Sequence, residues 1–242
     1  MFGWRGRIGL IIPSSNTTME SEFWRMAPEG VSIHAARVRL SEVLPTTLRE
    51  MADESVKAAE DLATAEVDVI VYGCTTGSLL EGVGWELSLR ERIERASRVK
   101  TITAAEAVVK ALKSLDVKRV VIATPYVEEL NVRERKFLED NGFEVPKVEG
   151  LGLVKNAEIG RQPPWVAYRL ALKAIEGVSV DGIFISCTNF RTLEVVNALE
   201  DRAGLPVVTS NTASFWLAMR SIGIREGMGY GKLLKEVKNA SP

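Results

Sequence analysis

The stretch Val67–Thr76, VDVIVYGCTT, occurs a second time at Val180–Asn189 as VDGIFISCTN. Each copy is an apolar, β-branched run that ends in Cys-Thr, which is typical of a buried strand followed by a polar turn. The chain has two cysteines, Cys74 and Cys187, and they occupy equivalent positions of the two copies (187 − 74 = 113 positions apart). A strand-and-turn unit that recurs once in each half predicts an internal duplication.

A second correspondence supports the duplication, because the stretch 7–13 resembles 119–125 at an offset of 112 (119 − 7). Strand-like runs alternate with stretches of helical period throughout, which predicts βα units and parallel sheets. We therefore predict an α/β fold of two pseudo-twofold-related, Rossmann-like lobes, each with a parallel four-stranded sheet, and an active site in the cleft between them. The first lobe is predicted over 1–115, the second over 116–212, and the C-terminal helices at 213–242 could complete the first.

The predicted elements follow from hydrophobic periodicity and from the glycines and prolines between them. Strands are predicted near 7–12, 31–38, 67–72, 99–102, 118–124, 143–148, 181–186 and 205–209. Helices are predicted near 17–27, 47–64, 78–97, 103–115, 127–141, 163–176, 190–203, 212–222 and 229–238.

Composition excludes several classes of function. The 242 residues carry a net charge of −1 and are 46% hydrophobic, so we expect a globular protein with no nucleic-acid partner. A single histidine, His34, argues against a His-based triad or a multi-His metal site. No apolar stretch reaches the ~18 residues of a membrane span, and no signal-peptide core is evident, so we expect a cytoplasmic protein with reduced thiols and no membrane partner.

The glycine-rich stretches indicate no nucleotide cofactor. The run 227–233 has Leu233 where a phosphate loop needs Ser or Thr, and Gly150-Leu-Gly152 lacks the third glycine of a dinucleotide-binding turn. We therefore predict chemistry without a nucleotide.

Short polar segments follow five of the predicted strands. In open parallel sheets ligands bind beyond the carboxyl ends of the strands, and the N–H groups there make an anion site where a helix begins. A carboxylate substrate would fit such a site. The alternative is that these hydroxyls and amides only cap the helices. The segments are 13–18, 74–78, 124–126, 187–189 and 209–212.

The two cysteines are the strongest candidates for catalytic groups in the sequence. A thiol at the start of a helix is expected to have a pKa below the ~8.5 of a free cysteine, which would make it a base or a nucleophile. The repeat would place Cys74 and Cys187 on opposite sides of the cleft, one as thiolate and one as thiol. Two alternatives stay open: small buried apolar side chains, or a redox disulfide between the two.

Five segments carry a resemblance to a known family: GLIIPSSNTTMESEF at 9–23, the CTTGS and CTN turns, TPYVEELN at 124–131, KNAEIG at 155–160 and IGIREGMGYGKLL at 222–234. Together they resemble the maleate cis-trans isomerase branch of the aspartate/glutamate racemase superfamily, which also holds arylmalonate decarboxylase. The resemblance covers essentially the whole chain. It implies a small dicarboxylate substrate, neither metal nor organic cofactor, and a homodimer.

The resemblance also implies a role for each matching residue. Cys74 would add as thiolate to an alkene carbon of maleate, and Cys187 would protonate the neighbouring carbon. The substrate carboxylates would be bound by Asn16, Tyr126 and Asn156. Backbone N–H groups would stabilise the enediolate-like intermediate, and those expected to do so belong to Thr75, Thr76, Thr188 and Asn189.

Other functions remain possible on the same residues. A racemase of an amino acid or hydantoin also needs two opposed cysteines, although an α-amino group would favour an acidic partner and the strand-end segments contain none. A decarboxylase is less favoured, because decarboxylases of this superfamily typically have Gly where Cys74 stands. A two-lobed ligand-binding or redox-sensing protein is the alternative outside enzymes.

Overall fold

The computed structural model describes residues 2–235, which form eight strands and eleven helices. The strands are β1 (Gly6–Pro13), β2 (Val31–Val38), β3 (Val69–Tyr72), β4 (Thr101–Thr103), β5 (Val120–Thr124), β6 (Val148–Gly150), β7 (Gly182–Ile185) and β8 (Val207–Thr209). The helices are α1 (Met19–Met26), α2 (Pro45–Ala63), α3 (Thr75–Leu79), α4 (Trp85–Ser97), α5 (Ala104–Ser114), α6 (Glu128–Asp140), α7 (Asn156–Gly160), α8 (Pro164–Ile175), α9 (Val196–Ala203), α10 (Ser210–Ser221) and α11 (Gly231–Lys235).

The strands form two parallel four-stranded sheets with the same order. The first sheet is β2-β1-β3-β4 and the second is β6-β5-β7-β8. The two halves of the sequence repeat therefore occupy the same places, with β3 and β7 leading to the two cysteines. The predicted α/β fold with two parallel four-stranded sheets is confirmed.

Both faces of β3, β4, β5, β7 and β8 are buried, which explains why the sequences of these strands are mostly apolar. The edge strands β2 and β6 are partly exposed. On β1, Leu10 belongs to one apolar cluster and Ile11 to the other, and both are fully buried. Each cluster extends through both sheets, since Ile122 of β5 shares the cluster of Leu10 and Val121 shares that of Ile11. The two halves thus pack as one body.

The helix α10 crosses between the halves. It follows β8 of the second sheet directly, yet it packs against α5 and against β3 and β4 of the first. Its first residue, Ser210, is therefore placed between the ends of β3 and β7. The division into lobes at 1–115 and 116–212 stays a prediction. Within residues 2–235, no helix is long and apolar enough to cross a membrane.

Several predicted boundaries were wrong. The helix predicted at 78–97 is two helices, α3 and α4, because Gly82 and Gly84 adopt φ values of +85° and +95° that break the helix. The short helix α7 was not predicted. The strand predicted at 143–148 is β6, while Glu144 makes an isolated bridge to Arg119.

The helix predicted at 190–203 begins at Val196, as α9. A side chain from the other half accounts for part of this delay, because the amides of Thr192 and Leu193 donate to the carboxylate of Glu22. The helix predicted near 229–238 is α11, which begins at Gly231, and positions 236–238 of that prediction lie outside the described residues.

Candidate active site

Cys74 lies at the junction between β3 and α3, in the N-cap position of the helix. Its side chain is buried, and its sulfur accepts a hydrogen bond from the backbone N–H of Gly77. The hydroxyl of Thr76 is 3.9 Å from the same sulfur. Thr75 and Thr76 form the first turn of α3, where the N–H groups have no acceptor within the helix. These donors are therefore directed at the end of the helix where Cys74 lies.

Cys187 follows β7, but its surroundings differ from those of Cys74. Its φ is +91°, a backbone conformation that residues other than glycine rarely adopt, and no helix begins beside it. Its sulfur accepts hydrogen bonds from the backbone N–H of Asn189, at 3.4 Å, and from the phenol of Tyr126. The expectation that each thiol lies at the start of a helix is correct for Cys74 and wrong for Cys187.

Two hydrogen-bonded links join the cysteine turns. The hydroxyl of Thr188 donates to the carbonyl oxygen of Gly73 at 2.9 Å. The hydroxyl of Thr75 donates to Ser210 Oγ at 2.8 Å, and the backbone N–H of Cys187 donates to the same oxygen at 3.1 Å. The turns are thus held together directly and through Ser210, so a shift of one would displace the other.

Asn16 connects the first helix to the second cysteine turn. Its Oδ1 accepts the backbone N–H groups of Thr18 and Met19, and its Nδ2 donates to Thr188 Oγ1 at 3.1 Å. The amide oxygen is therefore occupied by the start of α1. The second Nδ2 hydrogen is the part of this side chain suited to binding an anion.

Asn156 and Asn189 form a second junction between the halves. Asn189 Nδ2 donates to the carbonyl oxygen of Asn156 at 2.7 Å, and its Oδ1 accepts the backbone N–H of Thr17. Asn156 Nδ2 donates to Ser15 Oγ at 2.8 Å. The side chain of Asn189 thus links the backbone at Thr17 to the backbone at Asn156. The backbone N–H of Asn189 donates to the sulfur of Cys187.

All nine residues predicted for the site are buried and meet around the ends of β1, β3, β5 and β7. The structure brings them together, but their roles in binding and chemistry stay predictions. They are Asn16, Cys74, Thr75, Thr76, Tyr126, Asn156, Cys187, Thr188 and Asn189.

Burial changes the acidity of both thiols. It raises the pKa of Cys74 to about 11, against the hydrogen bonds from Gly77 and Thr76 that lower it. It raises the pKa of Cys187 to about 12, where repulsion from Cys74 and Glu134 adds to the desolvation. The expectation of a pKa below the free value was wrong, because desolvation outweighs the few N–H donors in this closed site.

Tyr126 is a buried phenol between these groups. Desolvation, together with the nearby Cys187 and Glu134, raises its pKa well above the ordinary value. It is therefore a neutral hydrogen-bond donor across the physiological range, available to a sulfur or a carboxylate.

The sequence analysis missed two buried acidic residues of the site, Glu22 and Glu134, and it included Ser210 only as part of the polar segment 209–212. Glu22 accepts three hydrogen bonds, from two backbone amides and from Asn211 Nδ2 at 2.7 Å, and burial raises its pKa against them. The sequence carried a signal for Glu22 and Glu134, because each lies on the apolar side of its helix. Glu134 is placed among Leu130, Phe137 and Leu138.

Two acidic residues close in sequence to the strand-end segments are paired elsewhere. Glu20 forms an ion pair with Arg37, and Glu81 forms one with Arg49. Neither cysteine is in a disulfide. Among residues 2–235, no cluster of three or more His, Cys, Asp or Glu side chains is arranged to hold a metal.

Comparison with known proteins identifies the family. A family model described as arylmalonate decarboxylase (Amdase) matches residues 8–234. A maleate isomerase of Pseudomonas putida is 31% identical, with 94% of this chain and 96% of the relative covered. An arylmalonate decarboxylase of Bordetella bronchiseptica is 28% identical, with 95% and 96% covered.

A solved structure is also similar over its whole length. It is a mutant of the Nocardia farcinica maleate cis-trans isomerase with a covalently bound succinylcysteine intermediate. The TM-score is 0.88 at 27% identity, covering 95% of this chain and 98% of the other. The resemblance to maleate isomerases and arylmalonate decarboxylases seen in the sequence is confirmed: the chain belongs to the arylmalonate decarboxylase family, and its relatives include maleate isomerases.

Proposed function

We propose that this protein is a cofactor-independent isomerase that converts a small cis-dicarboxylate of the maleate type into its trans isomer. The observation that carries the proposal is the pairing of Cys74 and Cys187 in one closed polar site, with their turns joined by hydrogen bonds. A similar protein with a succinylcysteine intermediate supports a covalent path through one of these sulfurs.

The reaction needs no net oxidation or reduction. Cys74, as thiolate, adds to one alkene carbon of the substrate, and the π electrons move to the neighbouring carbon and its carboxylate. Cys187 donates its proton to that carbon, which leaves a thioether on Cys74 and a thiolate on Cys187. After rotation about the new single bond, Cys187 takes the proton back, the C–S bond breaks and the trans product leaves.

The acidities of the thiols support this division of roles. Negative charge on Cys74 or Glu134 raises the pKa of Cys187, whereas the pKa of Cys74 is raised by desolvation, so Cys187 is the better candidate for the protonated partner. A thiol that starts protonated is the form required of the proton donor.

Neutral donors would hold the substrate. We assign the two carboxylates to the amides of Asn16 and Asn156 and to the phenol of Tyr126. The developing enediolate would be stabilised by backbone N–H groups, those of Thr75, Thr76, Thr188 and Asn189. The geometry gives an amino acid substrate less support, because Glu20 and Glu81 are paired with arginines. Of the buried acids, Glu22 already accepts three hydrogen bonds from the protein, and Glu134 is bonded to Ser186 behind the cysteine turn.

The test is a proton NMR assay of the purified protein with maleate under reducing conditions, following the vinyl signals of both isomers. We expect fumarate with the native chain and none with Cys74→Ser or Cys187→Ser, whose folding is checked by circular dichroism. Full activity of Cys74→Ser would refute the nucleophilic role. Absence of turnover by the native chain, together with deuterium wash-in at the α-carbon of chiral acids, would indicate a racemase instead.

The homodimer and the cytoplasmic location stay predictions. Light scattering coupled to size-exclusion chromatography tests the first, since the mass of a monomer would contradict it.

A further inference from the structure

A buried carboxyl group lies directly behind the second cysteine turn. Glu134 projects from the apolar side of α6 and is fully buried. Its Oε1 accepts a hydrogen bond of 2.6 Å from the hydroxyl of Ser186, the residue before Cys187. Its Oε2 has no hydrogen-bond partner among the described residues. A charge at this position would be poorly compensated.

Apart from Ser186 and Thr75, the side chains that pack around Glu134 in this region are apolar. It shares a small cavity with Thr75, which follows Cys74 in the chain, so the carboxyl group lies behind both cysteine turns. The other residues that line the cavity come from α3, α5, α6 and β7 and carry no charge: Leu79, Ala105, Val108, Phe137, Leu138 and Phe184.

The titratable groups that interact with Glu134 are few. Cys187 and Tyr126 are both close enough for a charge on Glu134 to raise their pKa values. On β6, which also packs against α6, Glu149 is paired with Lys147 and Lys173. No described cation is paired with Glu134, so nothing opposes the effect of its charge on Cys187.

We propose that Glu134 is a positioning residue that supports proton donation by Cys187 only while its own carboxyl group is protonated. The neutral acid holds the Ser186 hydroxyl and leaves Cys187 free to become a thiolate when it gives up its proton. The ionised form would place an uncompensated negative charge next to that thiolate and next to the anionic intermediate. Ionisation of Glu134 would therefore slow the step in which Cys187 acts as an acid.

The pKa of Glu134 places its ionisation within the pH range of an ordinary enzyme assay. Burial raises its pKa to about 8, against a small lowering by the Ser186 hydrogen bond. That is well below the pKa of about 12 of Cys187, so the two ionisations can be separated in a pH profile. The inference rests on the proposed isomerase function.

The test compares kcat and KM for maleate as a function of pH in the native chain and in Glu134→Gln. Above pH 8 we expect native kcat to fall relative to that of Glu134→Gln by about tenfold per pH unit, with KM unchanged. The ratio isolates Glu134, because Glu134→Gln is neutral at every pH and both proteins share the ionisation of Cys74. Glu139→Gln, an exposed change on the same helix, should behave as the native chain. The same pH profile of kcat in the native chain and in Glu134→Gln would overturn the proposal.

A second variant distinguishes titration from a purely structural role. Ser186→Ala removes the one hydrogen bond that stabilises the ionised carboxylate, so the alkaline fall should move to higher pH. A structural defect would lower kcat at all pH values without moving the fall, and that result would contradict the proposal.

A readout that needs no substrate separates this inference from the proposed function. In a Cys74→Ser background, alkylation of Cys187 by iodoacetamide reports its thiolate fraction. Above pH 8 we expect alkylation to be several-fold faster with Gln at position 134 than with Glu, and equal below pH 6. Equal rates at all pH values would overturn the inference even if maleate turnover is observed, and the expected difference would support it even if maleate is not the substrate.

Discussion

The hydroxyl of Thr188 donates a 2.9 Å hydrogen bond to the carbonyl oxygen of Gly73, so the residue after the second cysteine holds the residue before the first. The same hydroxyl accepts from Asn16 Nδ2. One buried side chain thereby fixes both cysteine turns and a residue assigned to substrate binding.

Replacing Thr188 with Val should therefore weaken both folding and turnover. The variant leaves a buried carbonyl and an amide without partners, which costs about 1–3 kcal/mol of the free energy of unfolding. We expect kcat to fall as well, because the two thiols lose their fixed separation. Thr192→Val is the matched control: within residues 2–235 the buried hydroxyl of Thr192 has no hydrogen-bond partner, so its removal should leave stability unchanged or higher. Equal losses in both variants, measured by urea unfolding, would contradict the prediction.

Glu22 should be essential for the shape of the segment after Cys187. Its carboxylate accepts the N–H groups of Thr192 and Leu193, and Glu22→Ala leaves both buried amides unpaired. We expect a loss of about 2–4 kcal/mol in the free energy of unfolding. Glu20→Gln, on the same helix but partly exposed, is the control and should change stability by less than about 1 kcal/mol.

The positive φ of Cys187 predicts an unusual order of stability among its variants. Neither Cys187→Ala nor Cys187→Gly should turn over maleate, since both lack the thiol. At φ +91°, however, alanine keeps the backbone strain and glycine relieves it. We expect the glycine variant to be more stable than the alanine variant by about 1 kcal/mol. A lower melting temperature for the glycine variant would show that the strain is absent.

The buried acid Glu134 should also make stability depend on pH. Its pKa in the folded state, about 8, lies above the value of 4.5 expected for an unpaired glutamate. The folded state therefore holds its proton more tightly, and this contribution is complete below pH 4.5 and is lost as the pH rises to 8. Relative to Glu134→Gln, the native chain should lose on the order of 1 kcal/mol per pH unit across that window. Parallel stability curves for the two proteins would refute the buried neutral acid.

Much of the fold followed from local patterns. The repeat of VDxIxxxCT, the apolar runs and the glycine stops predicted two equivalent α/β halves, because strand and helix periodicity are properties of neighbouring residues. The same patterns gave a wrong helix boundary where a residue distant in sequence forms hydrogen bonds with the backbone. The helix after Cys187 starts late, and a carboxylate 170 residues away, that of Glu22, takes up the amides of Thr192 and Leu193.

By itself, the sequence determined the pair of cysteines, their equivalence in a duplication and the polar residues that follow the strands. Only the tertiary structure decided how those residues behave. The pKa of each thiol and the neutral state expected of Glu134 depend on desolvation by side chains from other elements. Desolvation depends on which atoms displace water around a group, and that is settled only when both halves pack around the cysteine turns.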